Sequence, residues 1–433
     1  MNVSRDMVDV VVVGGGIVGV STALQIQRTG RKVMVIERGT PGDEASGHNG
    51  GMFSDDCLPT GMPDVIRSLP RLLMDPDSAL VIRFGYVPRL APWLIRFALS
   101  SRPSRVESIS AALYGLMSRG FDAYRPLIAG TPAENVLRNR GHMYVYRRKD
   151  DLDPNAFSLK LRTRRGIRYE LLDAAGIAKL NPSVAGLFGA ALYFPNAFYT
   201  KDPQAFTQTL LDTFIAKGGR FERGEVVGFA TSAGRVQSVR TAAGQLTTEA
   251  VVISAGPWSR ALLRKLGSDV PLDVERGYGA DLPNPGIRLD LPIVLADSHV
   301  AMTPHQSGVR IVGMDELASV SAPANLKLSE RLIRGARKAF PELRTEDASL
   351  WMRRRPSMPD SLPVIGRAPR FENAYLAFGH GHKGLCMGAI TGKLVQELMD
   401  GEATTVDIAP YSPRRFSPWR SQPSPPGARD GDG

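Results

Sequence analysis

The chain has 433 residues, 43% of them hydrophobic and 7% aromatic, enough to build full cores in two folded units. Its 54 Lys and Arg against 43 Asp and Glu leave a net charge of +11, which raises nucleic acid, anionic lipid or an acidic metabolite as partner. Two cysteines, Cys57 and Cys386, exclude a disulfide framework and suit a reducing compartment. The apolar region from Ala79 to Leu99 is broken by Arg83, Pro88, Arg89, Pro92 and Arg96, so it is no membrane-spanning helix.

In chain order, Val8 to Val13 runs apolar into Gly14-Gly15-Gly16-Ile17-Val18-Gly19, a helical pattern follows, and Val33 to Glu37 forms a second apolar run. This is a dinucleotide fingerprint in context: Gly14 permits the turn, Gly16 lets the backbone approach a pyrophosphate, and Gly19 lets the helix pack on the sheet. Ile17 and Val18 open the helix whose N-terminus faces the phosphates. Glu37, followed by Arg38, ends the second strand where a carboxylate accepts hydrogen bonds from both ribose hydroxyls and repels a 2'-phosphate. FAD or NAD is therefore favoured over NADP. No basic region, apolar run and small-residue cleavage site opens the chain, which predicts a cytoplasmic protein.

Ser46-Gly47-His48-Asn49-Gly50-Gly51 is too small and flexible for an element and suits close approach by a flat ligand. Residues 86 to 140 read as helices, and Tyr144 to Tyr146 and Ala190 to Phe194 as strands. Arg162 to Arg165 reads as solvated surface, because no aromatic residues interleave it as a nucleic-acid groove requires. Asp202-Pro203 opens a helix over Ala205 to Lys217 that stops at Gly218-Gly219. Ala250 to Ser254 is a buried strand of the parallel sheet, running into Ala255-Gly256-Pro257-Trp258. Ala374 to Phe378 is a strand, Gly379-His380-Gly381-His382-Lys383-Gly384 a loop, and Leu385 to Met399 a helix. The Pro-rich end, 412 to 433, reads as a disordered tail.

These motifs, with Val251 to Ser259, Arg355-Pro356, Pro359-Asp360 and Pro363-Val364-Ile365-Gly366, resemble the FAD-dependent D-amino acid oxidase and dehydrogenase superfamily over residues 8 to 408. The chain is most similar to the bacterial D-amino acid dehydrogenase branch, with glycine and sarcosine oxidases as cousins. The resemblance implies an α/β protein. Its discontinuous Rossmann-like FAD-binding domain takes 1–85, 200–268 and 350–410. An α+β substrate domain on a mainly antiparallel sheet takes 86–199 and 269–349.

The resemblance also implies FAD and not NAD. Val226 meets the adenine through its backbone, Ala255, Gly256 and Trp258 line the cofactor, and Ser46 to Gly51 wrap its flavin end. The loop from Gly379 to Gly384 offers backbone donors and a helix dipole to the reduced flavin's negative edge. The cousins attach flavin to a cysteine upstream of this loop, where the chain has none, so FAD is expected to be noncovalent. Cys386 lies just inside the last helix, whose dipole is expected to lower its pKa.

Such a site passes a hydride from the substrate α-carbon to flavin N5, and the imine hydrolyses to a keto acid. It needs a cation for the substrate carboxylate. Arg355 is the candidate, with Arg353 and Arg354 expected to alternate away from it in an extended segment. Tyr278 is either a second carboxylate contact or a buried structural residue. His48 and His382 are the histidines expected near the flavin. Six scattered histidines show no ligand spacing, so no metal is expected.

Three readings stay open: dehydrogenation of a primary D-amino acid with electrons passed to a quinone or another carrier, oxidation of a secondary amine such as proline, hydroxyproline or sarcosine, and an RNA-binding flavoprotein. The lack of an aromatic-basic groove weighs against nucleic acid. The Trp93 region is either a domain-core helix or a peripheral contact with the inner face of an anionic membrane.

Overall fold

A run of valines broken only by Asp9 can bury both faces only inside a covered parallel sheet. In the computed structural model, which describes residues 7–74, 78 and 80–416, Val8–Val13 lies at the centre of such a sheet. Val33–Glu37 and Gly244–Ile253 flank it in parallel, with Val11 opposite both Met34 and Val251. Arg220–Arg223 extends one edge in parallel and Ala374–Phe378 pairs with Val251 to Ile253 on the other side. The first half of Gly244–Ile253 turns to an antiparallel partner, Arg235–Thr241, which pairs in turn with Val226–Ser232. Helices Ile17–Gln27 and Gly384–Asp400 cover the sheet, Gly392 approaching the backbone of Thr22 closely.

The second sheet has nine strands. Its order is Ser349–Ser357, Asp273–Leu282, Gly308–Leu317, Val300–His305, Ile293–Leu295, His142–Tyr146, Ala190–Phe194 and Glu170–Asp173, with Leu80–Ile82 paired to Gly308–Leu317. Every pairing is antiparallel except those of Ile293–Leu295 with His142–Tyr146 and of Leu80–Ile82 with its neighbour. The helix Pro203–Ala216 starts as expected, Asp202 accepting the Ala205 N–H at 2.9 Å.

Four expectations need correction. Leu80–Ile82 and Ser349–Ser357, assigned by sequence to the cofactor side, belong to the second sheet because their backbones pair there. Conversely, the helix Pro103–Ile128 buries Ile109, Leu113 and Tyr124 in the same core as Val10 and Val12. The tail does not begin at 412: Arg415 pairs with Asp360 at 2.8 Å and donates to Leu362 O, fixing 412–416, while 417–433 lie outside the described residues. Nor is the arginine run all solvated. Arg162 is buried, pairs with Asp56 through two hydrogen bonds of 3.2 and 2.8 Å, and lies over the rings of Tyr144 and Phe194.

Candidate active site

One cavity of about 790 Å³ runs from the glycine turn to the second sheet. At its first end Gly14 has φ of +116°, and a Cβ there would overlap Ser254 O, so only glycine serves. Gly19 is withdrawn from the cavity, and its α-carbon rests on Gly14 O, the packing role expected of it. Glu37 accepts the Gly15 N–H at 2.8 Å and the Gly39 N–H at 2.7 Å, which ties the turn to the end of the second strand. Ser46 Oγ accepts the Ile17 N–H at 2.9 Å, right at the helix mouth. Arg38 stacks on Trp258, 3.4 Å from the ring centroid.

Gly14, Gly16, Ile17, Val18, Glu37, Arg38, Ser46, Asn49, Gly50, Val226, Ala255, Gly256 and Trp258 all border this cavity. So do His380, Gly381, His382, Lys383 and Gly384 at its other end. Gly47, Gly51 and Gly379 do not. Gly47 packs on Gly42 O and Gln204, Gly51 on Thr200 O, and Gly379 on Met358, so they shape the loops from behind.

The substrate-side candidates separate. Arg355 borders the cavity, ion-paired to Asp315, its guanidinium flat over Gly277 where any Cβ would overlap it. His382 Nε2 and Glu275 Oε2 lie 2.6 Å apart beside it. Burial raises the Glu275 pKa, but His382, a Ser357 hydrogen bond and Arg355 outweigh it and hold the carboxyl below its usual range. Glu275, Asp315 and His382 bring ligand-type atoms within 4.8 Å of one another, from three segments whose spacing gave no sign of it. Arg355 supplies the positive charge at that cluster.

Tyr278 does not reach the cavity: its fully buried hydroxyl donates to Glu316 at 2.5 Å and accepts from Asn325 N. Its alternation in the Asp273–Leu282 strand turns it to the opposite face from Gly277. His48 is also withdrawn, edge-on to Trp351 and 3.2 Å from Arg353, with burial and Arg353 lowering its pKa to about 4. The expected alternation of the arginines is corrected too. A period of two puts Arg353 on the Arg355 side, and what removes Arg353 from the cavity is its ion pair with Asp43 at 3.0 Å. Arg354 borders the cavity while pairing with Glu44 at 3.1 Å. Burial pushes the Cys386 thiol up, against the dipole expectation, and it rests between Ser54 N and Met52 O.

Residues 9–398 match the family model described as FAD dependent oxidoreductase. The chain belongs to this family. It is 32% identical over 415 residues to a protein named D-amino-acid oxidase from Bradyrhizobium diazoefficiens, covering 94% of this chain and 98% of the relative. It is 30% identical to D-amino acid dehydrogenase 2 of Mesorhizobium japonicum, covering 92% and 98%. Glycine oxidase from Bacillus cereus shares the fold with a TM-score of 0.67 at 18% identity, covering 92% of this chain and 96% of that one.

This FAD-dependent oxidoreductase offers its cofactor a fitting cleft. Bare glycine backbone at Gly14 and Gly16, the Ile17 helix mouth and the Glu37 carboxylate suit a pyrophosphate and an adenosine ribose, and the 381–384 turn closes the far end. Sequence reading missed Asp315, Gly277, Glu275, Asp56 and His142. Glu275 and Gly277 share one strand, but Asp315, His142 and Asp56 lie on distant segments that only the fold gathers. No helix among the described residues is long and apolar enough to cross a membrane.

Proposed function

We propose that the protein oxidises the Cα–N bond of a D-amino acid to an imino acid, which hydrolyses to a keto acid, with electrons passed on to a quinone or another carrier. The observation that carries this reading is the Arg355 guanidinium bordering the cavity with a glycine beneath it and the His382–Glu275 pair beside it. The names of the 30% and 32% identical relatives agree with it. When bound, FAD supplies the hydride acceptor, held noncovalently because the chain has no cysteine just upstream of the 379–384 loop.

The chain's own residues do the positioning. Arg355 keeps donors beyond the one used by Asp315 and holds the substrate carboxylate, charge-assisted and with fixed geometry. Glu275, kept ionised, accepts a hydrogen bond from His382 Nε2–H, which leaves Nδ1 unprotonated to accept a proton from the substrate ammonium. A neutral amine is the form that can be oxidised. Val294, Ala301 and Val312 wall the cavity with apolar surface and exclude water there. The outward face of the helix Val87–Ser100, with Ile95, Arg96 and Leu99 exposed, meets an anionic membrane and brings the quinone within reach.

Anaerobic bleaching of the bound flavin by a panel of D-, L- and N-substituted amino acids tests the reading. Primary D-amino acids are expected to bleach fastest. Faster bleaching by N-methyl or cyclic amino acids would move the function to secondary amines, and faster bleaching by L forms would overturn it. Arg355→Ala is expected to raise KM and cost about two decades in kcat/KM with FAD content intact. Parent-like turnover by that variant would remove Arg355 from the clamp.

A further inference from the structure

The second sheet lays a registered row of side chains along the cavity. Val312 pairs with Ala301, Ala301 with Val294, and Val294 with Tyr144, and all four border the cavity. Three are small and apolar, and the row ends in a phenol. His142, two residues from Tyr144 on the same strand and face, borders the same end. It is 4% exposed, stacked on Phe194 with centroids 4.8 Å apart, and its Nδ1 has no hydrogen-bond partner. A buried polar atom left without a partner costs about 1–3 kcal/mol, so a hydrogen bond from a ligand at this end of the cavity would relieve that cost.

The carboxylate at this end is already paired. Asp56 and Arg162 neutralise each other through their two hydrogen bonds, and Lys383 Nζ donates to Asp56 O at 2.9 Å. Burial keeps the His142 imidazole neutral, with its pKa lowered to about 4. A cationic tip finds no free carboxylate here, whereas a hydroxyl finds both a ring nitrogen and a phenol.

Length follows from the sheet. The Arg355 strand and the His142 strand are five steps apart in strand order, about 24 Å between backbones at the usual interstrand spacing. Arg355 and His142 both border the cavity that spans this distance. What remains is too long for alanine or serine and suits a side chain of aromatic length lying on the Val312–Ala301–Val294 row.

We propose that the substrate is an amino acid with a long, flat, apolar side chain ending in a neutral hydrogen-bonding group, a phenol being the simplest, and that His142 and Tyr144 read that group. This rests on the amino acid oxidation proposed above and names its substrate class. The test compares kcat/KM for anaerobic flavin reduction by D-tyrosine, D-phenylalanine and D-alanine. D-Tyrosine is expected to exceed D-phenylalanine by at least about tenfold, since a site built around a substrate hydroxyl discriminates against its absence. Tyr144→Phe removes one hydroxyl, and His142→Phe keeps the stacked ring while removing its nitrogens. In at least one of them the ratio is expected to fall to within about threefold of unity. A parent ratio near or below one, a preference for D-alanine, or a ratio retained in both variants overturns this inference alone. If none of the amino acids bleaches the flavin, the proposed oxidation fails and takes the inference with it.

Discussion

Gly277 is opposite Arg353 in the strand register, yet the side chain it accommodates is that of Arg355, which leans across it. A methyl group at this position would lift the guanidinium away from the cavity wall. Gly277→Ala is therefore expected to raise KM by about tenfold or more, because small displacements of a positioning group are costly, while FAD content stays at the parent level. Steady-state kinetics beside the flavin-to-protein absorbance ratio checks this, and a parent-like KM would contradict it. The place of Arg355 at the cavity was legible from the family resemblance, which singles out the arginine before Pro356, and the Arg-Pro step agrees by forcing extended backbone. Asp315 and Gly277 were not, because a lone acid and a lone glycine carry no periodic signal. Tyr278 misled because its neighbour Gly277 faces the site and alternation sends the tyrosine the other way, to Glu316.

Elements with both ends punctuated were readable: the glycine turn before Ile17–Gln27, and Asp202-Pro203 before the helix that ends ahead of Gly218. Strand partnership was not, because a three-residue strand such as Leu80–Ile82 gains its place from the strand beside it. The helix Val87–Ser100 illustrates both cases. Its amphipathic pattern was visible, but the inward assignment of Trp93, stacked on Phe97 and donating to Ser357 O, comes from packing. That leaves Ile95, Arg96 and Leu99 for a membrane. The holoprotein is expected to sediment with phosphatidylglycerol vesicles at low salt and to be released at high salt, which screens the arginines. Ile95→Glu with Leu99→Glu is expected to abolish the sedimentation. Absence of binding by the parent at low salt would end the membrane proposal.

For the molecule as a whole, the buried His142 and His380 and the half-buried His48 weaken the fold in acid. Burial lowers His48 and His142 to about 4 and His380 to about 3. In the unfolded chain each titrates near 6.5, so between pH 6.5 and 4 the unfolded state binds more protons. Stability is complete above about pH 6.5 and is lost as pH falls toward 4, His142 alone accounting for something on the order of 3 kcal/mol. The melting temperature of the parent is expected to fall more steeply over this range than that of His142→Phe. Parallel curves for the two proteins would show that His142 is not buried neutral.

The contact between Ile17–Gln27 and Gly384–Asp400 has a consequence for synthesis. The glycine turn leaves the ribosome first, but the strand and helix that complete its cleft emerge only some 350 residues later, so the nascent N-terminal unit waits with an open flank. Cofactor capture becomes one of the last events of biogenesis. A ribosome stalled before Gly384 carries a chain with the glycine turn complete and no far wall to the cavity.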